Sequence, residues 1–187
     1  MAVEEPKFAI VTADGDFELR DYPALVVAEV EVGGDRRAAT NEGFRLLAGY
    51  IFGGNRGGAK IAMTAPVAQA PVPGSTIAMT APVTLAGAGT RWTVQFTMPS
   101  AYALADLPVP NDSRVELKAV PPRTMAVLKF SGLTGDERVA EKTETLAALV
   151  RAHRLTPLGA AVLARYDPPW TPWFLRRNEL MVDVTKV

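Results

Sequence analysis

The 187-residue chain balances twenty Lys and Arg against twenty Asp and Glu, carries one His and lacks Cys. With 48% hydrophobic and 21% charged residues, it is globular rather than disordered, and its neutral balance lacks the basic excess of a nucleic-acid binder. Disulfides, thiolate nucleophiles and Cys-ligated metals are excluded, while the absence of Cys, of a signal-peptide pattern and of any apolar run of roughly eighteen residues predicts a cytoplasmic protein without membrane insertion.

Phe17-Glu-Leu-Arg-Asp-Tyr-Pro-Ala-Leu-Val-Val-Ala-Glu-Val30 reads as a polar bend feeding an apolar strand. The spacing of Thr40, Phe44, Leu47 and Ile51 predicts a helix from about Arg36 to Phe52, stopped by Gly53-Gly54. Gly53-Gly-Asn-Arg-Gly-Gly-Ala-Lys60 glances at a phosphate loop. Ala59 stands where that pattern needs Gly, however, and Ile61 where it needs Ser or Thr, so the segment reads as a flexible connection.

An octapeptide then occurs twice, Lys60-Ile-Ala-Met-Thr-Ala-Pro-Val67 and Thr76-Ile-Ala-Met-Thr-Ala-Pro-Val83, around a Pro- and Gly-containing stretch. The two copies predict an antiparallel hairpin. In one register Ile61, Met63, Ile77 and Met79 share an apolar face, with Thr64 and Thr80 on the reverse; a one-residue slip splits that face. A strand follows at Arg91 to Met98, and Pro99 to Asn111 reads as a linker.

Val115-Glu-Leu-Lys-Ala-Val-Pro-Pro-Arg-Thr-Met-Ala-Val-Leu128 repeats the opening grammar, with Glu116-Leu117-Lys118 over Glu18-Leu19-Arg20 and Pro121 over Pro23. A second helix is predicted from about Asp136 to Arg154. Val139, Thr143, Leu146 and Val150 share one of its faces, and Asp136 is placed to cap it. Strands near Ala160 to Arg165 and Glu179 to Val184 complete two β-α-β-β units in tandem. The prediction is a single α+β domain spanning 1–187, with half-repeats at about 8–100 and 112–187 sharing one sheet or distorted barrel.

Catalytic constellations are missing. One His builds no two-His metal site, and there is neither Cys nor a GxSxG elbow. Asp14 and Asp16 flank Gly15 as turn formers. Tyr166-Asp-Pro-Pro-Trp-Thr-Pro-Trp-Phe-Leu-Arg-Arg-Asn-Glu179 gathers four aromatics and two arginines. Aromatic faces beside guanidinium groups suit a flat apolar ligand bearing carboxylates; closing the base of the fold is the plainer alternative.

Tyr166-Asp-Pro-Pro-Trp170 and Arg176-Arg177-Asn178-Glu179, with Met-Thr-Ala-Pro-Val upstream and Phe17-Glu-Leu-Arg-Asp-Tyr22 near the start, resemble the SOUL haem-binding protein family from about Phe17 to Val184. The resemblance implies a distorted antiparallel β-barrel with two helices, built from two similar, pseudo-symmetric halves. It also implies non-enzymatic binding of haem or a related tetrapyrrole, for carriage or buffering, in an apolar pocket between the first helix and a C-terminal loop. Carried onto this chain, the site comprises Phe44, Arg45, Leu47, Ala48 and Ile51 of the helix, Met63 as supporting wall, and Trp173 and Arg176 of the loop. Arg45 or Arg176 then faces the propionates. Basic residues that some animal members place on the helix are replaced by Asn41 and Gly49. Their axial His has no counterpart, because His153 lies in the second half, where a helix C-terminus favours an imidazole as cap. Haem binding is therefore expected to be weak or without an axial protein ligand, and no metal-ligating or catalytic residue is assigned.

At the fold level alone, the two halves also resemble the effector-binding domains of bacterial multidrug regulators. That alternative implies a sensor for hydrophobic or cationic small molecules that does not bind haem, with Glu29 or Glu42 as the buried carboxylate. Both readings expect a small hydrophobic ligand as partner.

Overall fold

Alternation along the strands decides the architecture. In Leu25-Val-Val-Ala-Glu-Val-Glu-Val32, Ala28, Val30 and Val32 fall on one face and Val27, Glu29 and Glu31 on the other. The first face is covered by a helix; among the described residues the second is not. A computed structural model describes residues 3–72 and 91–186 of the chain.

The first half contributes β1 (Ala9–Asp14), β2 (Phe17–Tyr22), β3 (Leu25–Gly33), α1 (Arg36–Ile51), β4 (Val67–Pro71) and β5 (Arg91–Thr97). The second contributes β6 (Glu116–Val120), β7 (Arg123–Ser131), α2 (Asp136–Ala152), β8 (Leu155–Pro157), β9 (Val162–Arg165) and β10 (Arg177–Lys186). Antiparallel ladders join them in the order β1-β2-β7-β10-β9-β4-β5-β3-β6, with β8 also paired to β10. From β2 to β6 the order is symmetric about the central β9–β4 pair. β2 pairs with β7 and β6 with β3, so strands from the N- and C-terminal parts of the chain cross over to each other.

The sheet is not closed: β1 and β6 are its edges among the described residues. The expected α+β class holds, with two α-helices among the described residues; the antiparallel sheet is open there, and the expected distorted barrel is not borne out. Both helices lie on one face. Leu46, Leu47, Tyr50 and Ile51 of α1 bury against Val30, Val94 and Phe96. Leu146 and Val150 of α2 bury against Phe17, Leu128 and Leu180. Each such side chain stabilises the fold by roughly 1.5–3 kcal/mol.

Helix α1 begins at Asp35, whose carboxylate accepts from the Ala38 amide at 2.8 Å. It ends as expected at Gly53, whose φ of +115° suits Gly. The next segment is pinned rather than loose. The Asn55 amide group donates to the Tyr50 and Ala59 carbonyls, at 2.9 and 2.8 Å, and its oxygen accepts from the Ala59 amide. Helix α2 departs from expectation at its start. Gly135 is the cap and makes no side-chain bond, while Asp136 is drawn away to Arg36 at 2.7 Å. Arg36 also donates to the Thr134 carbonyl, so the starts of α1 and α2 are tied together. The anticipated linker is packed too: the Tyr50 hydroxyl donates to the Pro108 carbonyl at 2.9 Å.

Of the repeated octapeptide, only Val67 of the first copy enters a strand. Ile61 is buried in the α1 core with Met63 packed against it, whereas buried Thr64 donates to the Thr97 carbonyl. The second copy, and with it the hairpin register, lies outside the described residues.

Gly43 sets the distance between α1 and the sheet, since a Cβ there would sit 2.6 Å from Val94 side-chain atoms. Gly43→Ala is expected to cost about 1–3 kcal/mol by overpacking. Thermal melting should show the loss, and Val94→Ala in the same chain should restore part of it. Simple additivity of the two substitutions would contradict this contact.

Candidate functional site

The helix-free face closes over a cavity of about 400 Å³, within the size range of small-molecule pockets. Its walls come from alternate residues of seven strands. Val27, Met125, Val162, Ala164 and Met181 are among its apolar lining, and Tyr22 and Tyr166 stand within it. The N-terminal segment contributes Glu5, Pro6 and Phe8. That segment is fixed where the Ala65 amide donates to the Glu4 carbonyl and the Ser100 amide to the Glu4 carboxylate, both at 2.9 Å.

The charged lining is unequal: Glu5, Glu29, Glu31 and Asp183 face one guanidinium, Arg123. Gln95 donates to Glu29 at 2.6 Å, and Lys118 to its other oxygen. Arg177 pairs with Glu5 at 2.6 Å and Arg91 with Glu31. Arg123 reaches Asp183 at 3.2 Å, yet Arg123 Nε and Asp183 Oδ1 are buried without a hydrogen-bond partner.

Beside the cavity runs a locked ionic network. Arg20 is 2% exposed. Two of its nitrogens donate to the two oxygens of Glu179, at 2.9 and 3.0 Å, and its Nε donates to Glu18 at 2.7 Å. Arg20 also donates to the Tyr22 hydroxyl, Tyr166 donates to Glu179, and Lys129 donates to Glu18. Burial disfavours the charge on Arg20, but bonds with Glu179 and Tyr22 outweigh it and push its pKa up. Burial likewise opposes ionisation of Glu18, and bonds from Lys129 and Arg20 still hold its carboxyl below the ordinary value. Burial, then the Glu179 charge, raises the Tyr166 phenol, which therefore remains a donor.

The residues carried over from the sequence fall in two places. Phe44, Leu47, Ile51 and Met63 gather around α1. Leu47 and Ile51 are in its core, Met63 packs against that core, and Phe44 meets Phe96 edge-on at 5.4 Å while staying 38% exposed. Ala48 is half-buried, and Arg45 is exposed and paired with Glu42 at 2.6 Å. Trp173 and Arg176 stand elsewhere, on a short 3-10 turn next to β7 and the start of α2. The Arg176 guanidinium is spent on the Thr171 and Pro169 carbonyls. His153 caps α2, its ring stacked on Phe17 at 4.4 Å and its Nε2 4.0 Å from Asp14. Among the described residues no cluster of His, Cys, Asp and Glu could hold a metal ion.

Sequence reasoning did not assemble the cavity, although Glu29 and Glu31 within an apolar strand were its visible signal. Glu29 reaches the cavity; Glu42 lies on α1 with Arg45.

An open antiparallel sheet with two helices on one face and a ligand-sized recess on the other defines an α+β domain of recurrent architecture. The EcmrR C-terminal domain shares it with a TM-score of 0.67 at 12% identity, over 91% of this chain and 98% of that one. A protein described as a hydrolase from Listeria innocua shares it with a TM-score of 0.59 at 12% identity, over 94% of each chain. At such identities the likeness concerns the fold alone. The sequence says more: the pattern of the SOUL heme-binding protein family matches residues 3–183, and the chain belongs to that family. Heme-binding protein 2 of Mus musculus is 28% identical over 90% of this chain and 82% of its own length. The Homo sapiens protein of that name is 31% identical over 73% of this chain and 62% of its own. No helix among the described residues is long and apolar enough to cross a membrane.

The ionic network makes two expectations. Glu179→Ala strands buried Arg20 and should cost about 3–5 kcal/mol in urea unfolding. Glu18 has a depressed native pKa, so its stabilisation is complete above the unfolded carboxylate value of about 4.3 and lost as pH falls through the native value. Stability measured from about pH 6 to pH 3 should therefore fall less steeply in Glu18→Gln than in the parent. Parallel slopes would remove Glu18 from the acid response.

Proposed function

We propose that this protein binds haem or a related tetrapyrrole without transforming it, and serves to carry or buffer it. Family membership supports the ligand class, together with the relatives called Heme-binding protein 2. The structural observation that carries the reading is the apolar strip left on the outer side of α1. Phe44 and Phe52 are 38% and 61% exposed, with Ala48 half-buried between them. Large apolar side chains in water beside a packed core are ready to cover one face of a flat ring.

Leu47, Ile51 and Met63 support the strip from beneath. Arg45 ends it with an exposed guanidinium whose present partner, Glu42, is itself partly exposed, so exchange toward a propionate costs little. Bound haem would supply an iron centre. The residues near this strip supply apolar contact and one cation, with no imidazole among them, so the fit is to the ring and its carboxylates. Trp173 and Arg176 take part only through a second contact from the α2 side. The symmetric strand order supports reading 1–187 as one domain of two related halves, about 8–100 and 112–187.

Titration with haemin is expected to give a saturable shift of the Soret band at low micromolar ligand. Phe44→Ser should weaken it about tenfold, the equivalent of roughly 1.4 kcal/mol of lost apolar contact. His153→Ala should leave the spectrum unchanged. A titration without saturation overturns the proposal.

A further inference from the structure

The cavity on the helix-free face is separate from the α1 strip: the two lie on opposite sides of the sheet, because strand neighbours alternate between them. We propose that this cavity is a second ligand site and that it takes an apolar or aromatic organic cation.

Charge argues first. The lining places four carboxylates against one guanidinium, and the cations that balance Glu5, Glu29 and Glu31 are not part of it. An anionic ligand such as haem, with its propionates, meets carboxylates here, which assigns the tetrapyrrole and the cavity ligand to different faces.

Exchangeability argues second. The Glu29 side chain is 12% exposed, whereas its partner Lys118 is 48% exposed and stands at the edge strand β6. Lys118 can swing into water and yield its place to a ligand cation, while Glu29 remains desolvated and so binds a charge more strongly than a surface carboxylate does. Arg20 and Glu179 contrast with this pair. Their side chains are 3% and 4% exposed and doubly bonded, so they hold the wall rather than exchange.

The third argument is an unmet bond. Asp183 pairs with Arg123 through one oxygen, while its other, Oδ1, is buried without a partner; Met125, Val162 and Met181 line the same cavity. A carboxylate oxygen left unpaired is unfavourable until a donor or a positive charge reaches it. Apolar lining with polarizable Met suits the body of the ligand, and Glu29 and Asp183 suit its charge.

The probes are rhodamine 6G, a delocalised aromatic cation, and fluorescein, an anion of similar shape, read by fluorescence anisotropy with the full chain. Rhodamine 6G is expected to bind saturably in the micromolar range, with fluorescein at least about tenfold weaker. Glu29→Gln should weaken rhodamine 6G at least about tenfold. Ala70→Trp, which fills the cavity from β4, should abolish its binding while circular dichroism reports an intact fold. Saturating haemin should not displace the dye. Equal binding of the two dyes, an unchanged Glu29→Gln affinity, or competitive displacement by haemin would each overturn the assignment. Dye binding without any haemin binding leaves this site standing and removes the tetrapyrrole reading; haemin binding without dye binding does the reverse.

Discussion

Every interior strand of this sheet has two faces, and only one of them is covered by helix. That constraint organises the rest. The faces of β3, β5, β7 and β10 turned toward α1 and α2 are filled by Val, Leu, Phe and Ala, and they form two cores, one under each helix. Among the described residues no helix buries the opposite face. It closes instead by drawing residues from seven strands and the N-terminal segment around one recess. Polar residues on that face are therefore buried without a helix to pair with, and they must find partners among themselves. Arg20 with Glu18 and Glu179, and Glu29 with Gln95 and Lys118, are the outcome.

The crossed pairing of β2 with β7 and of β6 with β3 gives these networks their reach. Because β2 pairs with β7, Arg20 stands two strands from Glu179 although 159 positions separate them in sequence. Lys118 reaches Glu29 by the corresponding route, β6 against β3. The two halves differ in how tightly the pair is held. In one, a bidentate guanidinium and the Tyr166 phenol hold the carboxylate; in the other, the partner is a half-exposed ammonium on an edge strand. The corresponding positions thus serve rigidity on one side and an accessible charge on the other.

Electrostatics also separates the two faces of the sheet. The α1 strip offers aromatic contact and a cation, and the recess offers apolar walls and an excess of carboxylates. Under the two proposed assignments, a dianionic flat ring and an organic cation would sort between them by charge alone, with no need for a difference in size.

Much of the fold was legible in the chain. Period-3.6 spacing located α1 and α2, Gly53 stopped the first helix, and the Glu-Leu-Arg and Glu-Leu-Lys segments both lie in strands, β2 and β6. Local rules failed where a distant group competed. Asp136 was placed to cap α2, but Arg36, a hundred positions away, takes its carboxylate. The octapeptide looked like a strand, yet residues 60–66 are held irregularly, with Ile61 sunk into the α1 core and Thr64 bonded to Thr97. The edge strand β1 is exposed throughout although Ala9, Ile10 and Val11 are apolar, so its hydrophobicity does not report burial.

The candidate site divides in the same way. Sequence by itself determined the family, the apolar residues of α1, the absence of any two-His centre, and a carboxylate at Glu29 inside an apolar strand, because each depends on residue type or on neighbours within a few positions. Tertiary structure alone decided which of those residues meet. Phe44, Leu47, Ile51 and Met63 come together while Trp173 and Arg176 do not join them, and Glu29 faces a recess shared with Asp183. Contacts of that kind depend on strand order and on which face each residue takes, and a pairing across a hundred or more positions leaves no local trace in the chain.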